Sequence, residues 1–114
     1  MEIPVEKQGE VAVAALPGDH LDAGLVEEFR RDIAPILDAN PKLVFDMTAL
    51  RFVDSAAVGA LLSCLRRVSG AGGDLKLFGL SRPVRAIFDM ARMHRIFDLY
   101  ETKDEALAAF QSPP

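Results

Sequence analysis

The sequence predicts one α/β domain, with a mixed β-sheet of about four to five strands and about four helices packed mainly on one face. Short apolar runs alternate with segments of helical periodicity along the chain, which is typical of mixed α/β domains. The chain has 114 residues and half of them are hydrophobic, so it can bury a core without disulfides. Because no repeat or linker divides the sequence, residues 1–114 are expected to form one domain, with 110–114 as a frayed end.

Five segments have the composition of β-strands. In chain order they are residues 2–6, 11–16, 42–47, 75–78 and 96–100. The first is expected to pair with the second through a turn at Gln8-Gly9, and to lie at the sheet edge because Pro4 cannot donate a backbone hydrogen bond. The third is apolar on both faces, which predicts a central strand.

Four segments have helical features. The first has an apolar stripe at spacings of four and three, formed by Leu21, Leu25, Phe29, Ile33 and Ile36. Asp22 is expected to cap its first turn, and Pro35 to kink or loosen its last turn. The second helix ends at the glycine-rich segment 70–73. Ser81 is expected to cap the third, and residues 102–105 form a near capping box for the fourth.

The composition argues against several classes of partner. The formal charge is -4 and the pI is about 5.1, so the concentrated positive surface that binds nucleic acid is absent. The arginines between Arg82 and Arg95 form either a solvated helix face or a local patch for an anion or a partner. No secretory signal and no apolar run of about 20 residues is present. We therefore expect a soluble cytoplasmic protein without membrane insertion.

Residues that could perform catalysis are few. The single cysteine, Cys64, lies in an apolar segment, so a buried structural thiol is expected. His20 and His94 are isolated and expected to be exposed, which leaves no plausible metal ligands. Segment 70–73 lacks the lysine and hydroxyl residue of a phosphate-binding loop. The sequence predicts neither an active site nor a cofactor.

The segment around Ser55 is the most informative for function. A strand ends, Asp54-Ser55 follows, and an apolar helix begins at once, which places the Ser55 hydroxyl near a helix N-terminus. Unpaired amides there can receive phosphate oxygens, while Asp54 and Asp22 would make a phosphorylated surface strongly negative. From spacing alone, Ser55 is either a phosphorylation site or, like Asp54, an N-cap contributing ~1 kcal/mol to helix stability.

Several motifs extend this pattern along nearly the whole chain. They are a strand ending in Asp46, then Leu50 and Phe52, Asp54-Ser55 followed by Val58-Gly59, Gly72-Gly73 before a strand, helix 84–90, and Gly18 with Leu21-Asp22 upstream. Together they resemble the STAS domain family, and especially its bacterial anti-sigma-factor antagonists. The resemblance implies a STAS-like fold, phosphorylation at Ser55, and acidic neighbours at Asp22 and Asp54. Ala56-Ala57 differ from the Ser or Thr, then Gly, that family members often have.

The same resemblance implies a non-enzymatic binding protein. The unphosphorylated form would bind an anti-sigma factor with ATPase-fold serine kinase activity and release the sigma factor, and a serine phosphatase would reverse the modification. The expected partner-binding residues are Asp22, Asp54, Ser55, Ala56, Val58, Gly59 and Met90, with Met93 and Phe88 extending the surface. We expect a monomer or a weak homodimer. The alternatives are a constitutive STAS subunit of a lipid-transport ATPase complex and a component of a signalling scaffold.

Overall fold

The computed structural model describes residues 1–111, which form seven strands and four α-helices. The strands are β1 (Val5–Gln8), β2 (Val11–Ala15), β3 (His20–Leu21), β4 (Lys42–Asp46), β5 (Phe52–Val53), β6 (Asp74–Phe78) and β7 (Asp98–Tyr100). The helices are α1 (Val26–Ala39), α2 (Ser55–Gly70), α3 (Arg82–Met90) and α4 (Lys103–Ala109), and a 3-10 turn at Met93–Arg95 follows α3.

The main sheet is mixed and contains five strands in the order β1-β2-β4-β6-β7. β1 is antiparallel to β2, and every other neighbouring pair in this sheet is parallel. β4 lies at the centre, and its interior residues Leu43, Val44 and Phe45 are fully buried, as their apolar character on both faces predicts. β3 and β5 form a separate, short parallel pair.

Three helices cover one face of the main sheet and α4 covers the other. The first face packs in one apolar cluster with α1, α2 and α3, whose buried residues include Phe29, Ile33, Leu61 and Phe88. On the other face Ala106 of α4 packs with side chains that include Val44 and Phe78. The prediction of a mixed sheet with helices mainly on one face is therefore confirmed.

The start of α1 differs from the prediction. The helix begins at Val26 and not near Leu21, because Leu21 belongs to β3 and pairs with Val53 of β5. Asp22 therefore does not cap the helix; its Oδ1 accepts from the backbone N–H of Gly24 at 3.0 Å, within the loop that leads into α1. Pro35 lies inside α1, which continues to Ala39.

Two other caps had different outcomes. Ser81 occupies the N-cap position of α3 without a capping bond, because its hydroxyl donates instead to the carbonyl of Leu50 at 2.9 Å. The capping box of α4 is complete: Thr102 Oγ1 accepts from the amide of Glu105, and Glu105 Oε1 accepts from the amide of Thr102. Phe110 packs on the outer sheet face. The expected frayed end stays a prediction, since residues 112–114 lie outside the described part of the chain.

Candidate functional site

Ser55 is the first residue of α2 and is exposed. The N-cap of this helix is Asp54, whose Oδ1 accepts from the amide of Ala57 at 2.9 Å. In the described part of the chain the Ser55 hydroxyl has no hydrogen-bond partner. Asp54 therefore caps α2, and the Ser55 side chain remains free to react or to contact another molecule.

Asp54 also holds the neighbouring loop. Its second oxygen, Oδ2, accepts from the amide of Ala23 at 2.9 Å, so one carboxylate joins the start of α2 to the loop before α1. The bond from the Ala57 amide, with a smaller contribution from Ala23, holds the pKa of Asp54 below its usual value against the opposing effect of partial burial. Asp54 is therefore ionised at neutral pH, directly beside Ser55.

The loop containing Asp22 is positioned by the short β3–β5 pair. Leu21 lies opposite Val53, and the carbonyl of Asp19 accepts from the amide of Arg51 at 2.6 Å. The exposed ring of His20 lies in this loop, with Nδ1 2.8 Å from Asp19 Oδ1 and Nε2 3.9 Å from Asp22 Oδ2. The hydrogen bond with Asp19 raises the pKa of His20, and Asp22 adds to this effect. The loop thus places acidic groups and one titratable histidine next to the Ser55 turn.

An apolar groove of about 520 Å³ begins at Ser55 and lies between α2 and the end of α3. Its lining residues are Val53, Asp54, Ser55, Val58, Gly59, Leu62, Ile87, Met90, Ala91 and Met93. Met90, one of these lining residues, is 82% exposed to solvent. An exposed apolar surface next to a free hydroxyl is typical of a site that contacts another protein.

The groove contains most of the residues that the sequence singled out. Five of the seven predicted partner-binding residues line it, whereas Ala56 and Asp22 do not. Asp22 lies in the loop whose Ala23 amide donates to Asp54. Phe88 is fully buried in the core and cannot extend this surface, because it lies on the inward side of α3. Sequence reasoning missed Val53 and Ala91, and also Leu62 and Ile87. The signal was present, since Leu62 follows Val58 by one helical turn and Ile87 precedes Met90 by three residues.

The remaining candidate groups lie away from this site. Cys64 is 3% exposed between α1 and α2, and burial raises the pKa of its thiol to about 12. Within residues 1–111 there is no cluster of three His, Cys, Asp or Glu side chains that could hold a metal ion. A second groove, of about 600 Å³, lies at the amino edge of the sheet, where Lys42 pairs with Glu10. It shares no lining residue with the groove beside Ser55.

No helix in the described part of the chain has the length and apolar character needed to cross a membrane.

Comparison with known proteins places the fold in a family. The model of the STAS domain family matches residues 2–106. An anti-sigma F factor antagonist of Paenibacillus polymyxa is 24% identical over 113 residues, which cover 97% of this chain and 96% of that protein. The crystal structure of an anti-sigma factor antagonist from Mycobacterium paratuberculosis is similar with a TM-score of 0.86 at 22% identity, over 97% of this chain and 94% of that one.

The chain is also similar to two structures of the anti-sigma factor antagonist SpoIIAA of Bacillus, one unphosphorylated and one phosphorylated. Its unphosphorylated form has a TM-score of 0.78 at 23% identity, over 99% of both chains. Its phosphorylated form has a TM-score of 0.70 at 24% identity, over 96% of this chain and 99% of SpoIIAA. At these identities the solved structures establish a shared fold. Because the family model matches nearly the whole length, the chain belongs to the STAS domain family.

Proposed function

We propose that this chain is an anti-sigma-factor antagonist that phosphorylation of Ser55 switches off. In the unphosphorylated state it binds an anti-sigma factor with ATPase-fold serine kinase activity and so releases a sigma factor. A serine phosphatase returns it to the binding state. In this role the chain is a cytoplasmic binding protein and not an enzyme. The observation that carries the proposal is the exposed, unbonded hydroxyl of Ser55 at the start of α2, next to an apolar groove.

Electrostatics explain how the modification would end binding. A phosphoserine adds a charge of about -1.5 to -2 at neutral pH. Asp54 already uses the Ala57 amide and remains ionised, so the added phosphate would lie beside an existing negative charge. The positive end of the helix dipole offsets part of this repulsion. The net result is a strongly negative rim at one end of the groove.

The size of this effect is sufficient for a switch. Two unit charges about 4 Å apart interact by ~1 kcal/mol in water and by about 4 kcal/mol at an effective dielectric constant near 20. A partner that places an acidic group over Ser55 would therefore bind about fivefold to several hundredfold more weakly after phosphorylation. The relatives support this role through their names, and one of them is known in a phosphorylated form.

The experiment is intact-mass analysis of the protein purified from its native cells, alongside a Ser55→Ala variant. We expect a phosphate-sized mass increase in the wild type that the variant lacks. Because the Ser55 hydroxyl makes no hydrogen bond, the variant keeps the fold, and circular dichroism checks this. A wild type that remains unmodified through growth and stress would contradict the switch and favour the constitutive subunit or the scaffold component.

A further inference from the structure

His20 is a titratable side chain held between two carboxylates in the loop beside the Ser55 turn. Its Nδ1 is 2.8 Å from Asp19 Oδ1, and its Nε2 is 3.9 Å from Asp22 Oδ2. A protonated ring has an N–H on each nitrogen, so each N–H faces one carboxylate. In the neutral ring one nitrogen loses its proton, and the negative charge of the carboxylates is no longer offset. Proton uptake by His20 therefore changes the charge of this loop by one unit.

Two independent links place His20 close to Ser55. In the parallel pair of β3 and β5, His20 lies opposite Phe52. Neighbouring strands are about 4.8 Å apart, and the three residues from Phe52 to Ser55 span at most about 11 Å, so the Cα atoms of His20 and Ser55 lie within about 16 Å of each other. The second link is the 2.9 Å bond from the amide of Ala23 to Oδ2 of Asp54, the residue that precedes Ser55.

The cationic side chains of neighbouring elements do not pair with the two carboxylates beside His20. Arg51, which precedes β5, is exposed, and within residues 1–111 its guanidinium takes part in no ion pair. On α3, which packs against β5, Arg85 pairs with Asp89 at 3.2 Å, and Arg82 lines a different groove. The compensation of these carboxylates therefore depends on the protonation state of His20.

The other negative charge at the Ser55 turn is fixed near neutral pH. Asp54 stays ionised because the bond from the Ala57 amide lowers its pKa, and the first turn of α2 has no acidic side chain. His20 behaves differently, since its hydrogen bond with Asp19 raises its pKa from the ordinary value of 6.5 toward neutral pH. Protonation of His20 is thus the event in this loop that changes the electrostatic potential at Ser55 near pH 7.

We propose that His20 makes phosphorylation of Ser55 depend on pH, with the protonated ring favouring the phosphorylated form. This inference rests on the proposed function. A phosphate on Ser55 carries about -1.5 to -2 charges and would add to the charge of the nearby carboxylates, two of which the imidazolium offsets. The effect is fully present below the pKa of His20 in the unmodified protein and is lost as the pH rises through its pKa in the phosphorylated protein. Mildly acidic conditions therefore favour the state that does not bind the anti-sigma factor.

NMR titration of the His20 ring tests this coupling. The full chain is compared with the same chain that carries phosphoserine at position 55, introduced during synthesis, at about 0.01 M ionic strength. At this distance the phosphate should raise the pKa of His20 by about 0.2–1 pH unit. By linkage, the protonated ring then favours phosphorylation by about twofold to tenfold. Ser55→Glu adds a smaller charge and should cause about half of this shift, whereas Ser55→Ala should cause none.

Ser69→Glu is the matched control. Ser69 is exposed in the last turn of α2, 14 residues after Ser55, which corresponds to about 21 Å along the helix. This variant adds the same charge as Ser55→Glu and should leave the pKa of His20 within about 0.1 unit of the wild-type value. Equal shifts in the two variants would assign the effect to net charge and overturn the proposal. An unchanged His20 pKa in the phosphoserine chain would overturn it as well.

Phosphorus NMR of the phosphoserine chain gives the reciprocal measurement. The second pKa of the Ser55 phosphate should be lower with His20 present than in His20→Gln, again by about 0.2–1 pH unit, because the coupling acts equally in both directions. Equal phosphate pKa values in the two chains would overturn the proposal. Neither titration needs the native kinase. A protein that stays unmodified in its native cells would reject the switch, whereas native phosphorylation without a shift at His20 would reject this inference alone.

Discussion

Replacing Asp54 with alanine should destabilise the protein by about 1.5–2 kcal/mol. The carboxylate makes two bonds of 2.9 Å, one to the Ala57 amide and one to the Ala23 amide. Loss of an N-cap costs about 1 kcal/mol. The bond to Ala23 is exposed to solvent, so we assign it the lower part of the usual range, about 0.5–1 kcal/mol. For a domain of this size the loss corresponds to a melting temperature about 6–8 °C lower.

Urea unfolding followed by circular dichroism measures this difference. The matched variant is Ser55→Ala, which removes a neighbouring oxygen that makes no hydrogen bond, and we expect it to stay within about 0.5 kcal/mol of the wild type. Asp54→Asn should lose about half as much stability as Asp54→Ala, because an amide can still cap α2 but has only one acceptor oxygen. If Ser55→Ala destabilised the protein as much as Asp54→Ala, our assignment of the cap would be wrong.

The contribution of Asp54 to the free energy of unfolding also depends on pH. Since its pKa is lowered on folding, the stabilisation is present above the unfolded-state value of about 3.9 and is lost as the pH falls through the folded-state pKa. The stability difference between the wild type and Asp54→Ala should therefore be constant from pH 7 to about 5 and shrink below about 4. A difference that persisted unchanged at pH 2.5 would contradict a role for the ionised carboxylate.

Three further predictions concern other parts of the fold. Gly73→Ala should cost about 1–3 kcal/mol in urea unfolding, because the added Cβ would clash with the backbone carbonyl of Pro41; a neutral result would contradict this packing. By NMR titration His20 should have a pKa above 6.5, and this pKa should fall in the Asp19→Asn variant; an unchanged pKa would exclude the ion pair. The small contribution of this pair to stability should be present below pH 6.5 and lost as the pH rises through the folded-state pKa of His20. Cys64 should resist iodoacetamide at pH 8 in the native protein and react in urea, and comparable rates in both would show that the thiol is accessible.

The sequence predicted those elements whose signal is local. β4 is central because its residues are apolar on both faces, and the capping box of α4 is visible in four consecutive residues. β3 could not be predicted in this way, since a two-residue strand has no measurable period. Leu21 and Leu25 are four residues apart, which matches the spacing of a helical stripe. Leu21 is nevertheless part of a strand, where it is buried and pairs with Val53.

For the site, the sequence by itself determined that an Asp-Ser pair begins an amphipathic helix, and the resemblance to a family identified the serine as a candidate for phosphorylation. Only the tertiary structure decided that Asp54 caps α2 and also holds the loop at Ala23, 31 residues earlier in the chain. It alone also brought Met90 next to Ser55 to form one groove. Periodicity and capping motifs report the conformation of neighbouring residues, whereas a groove between two helices depends on how the sheet packs them together.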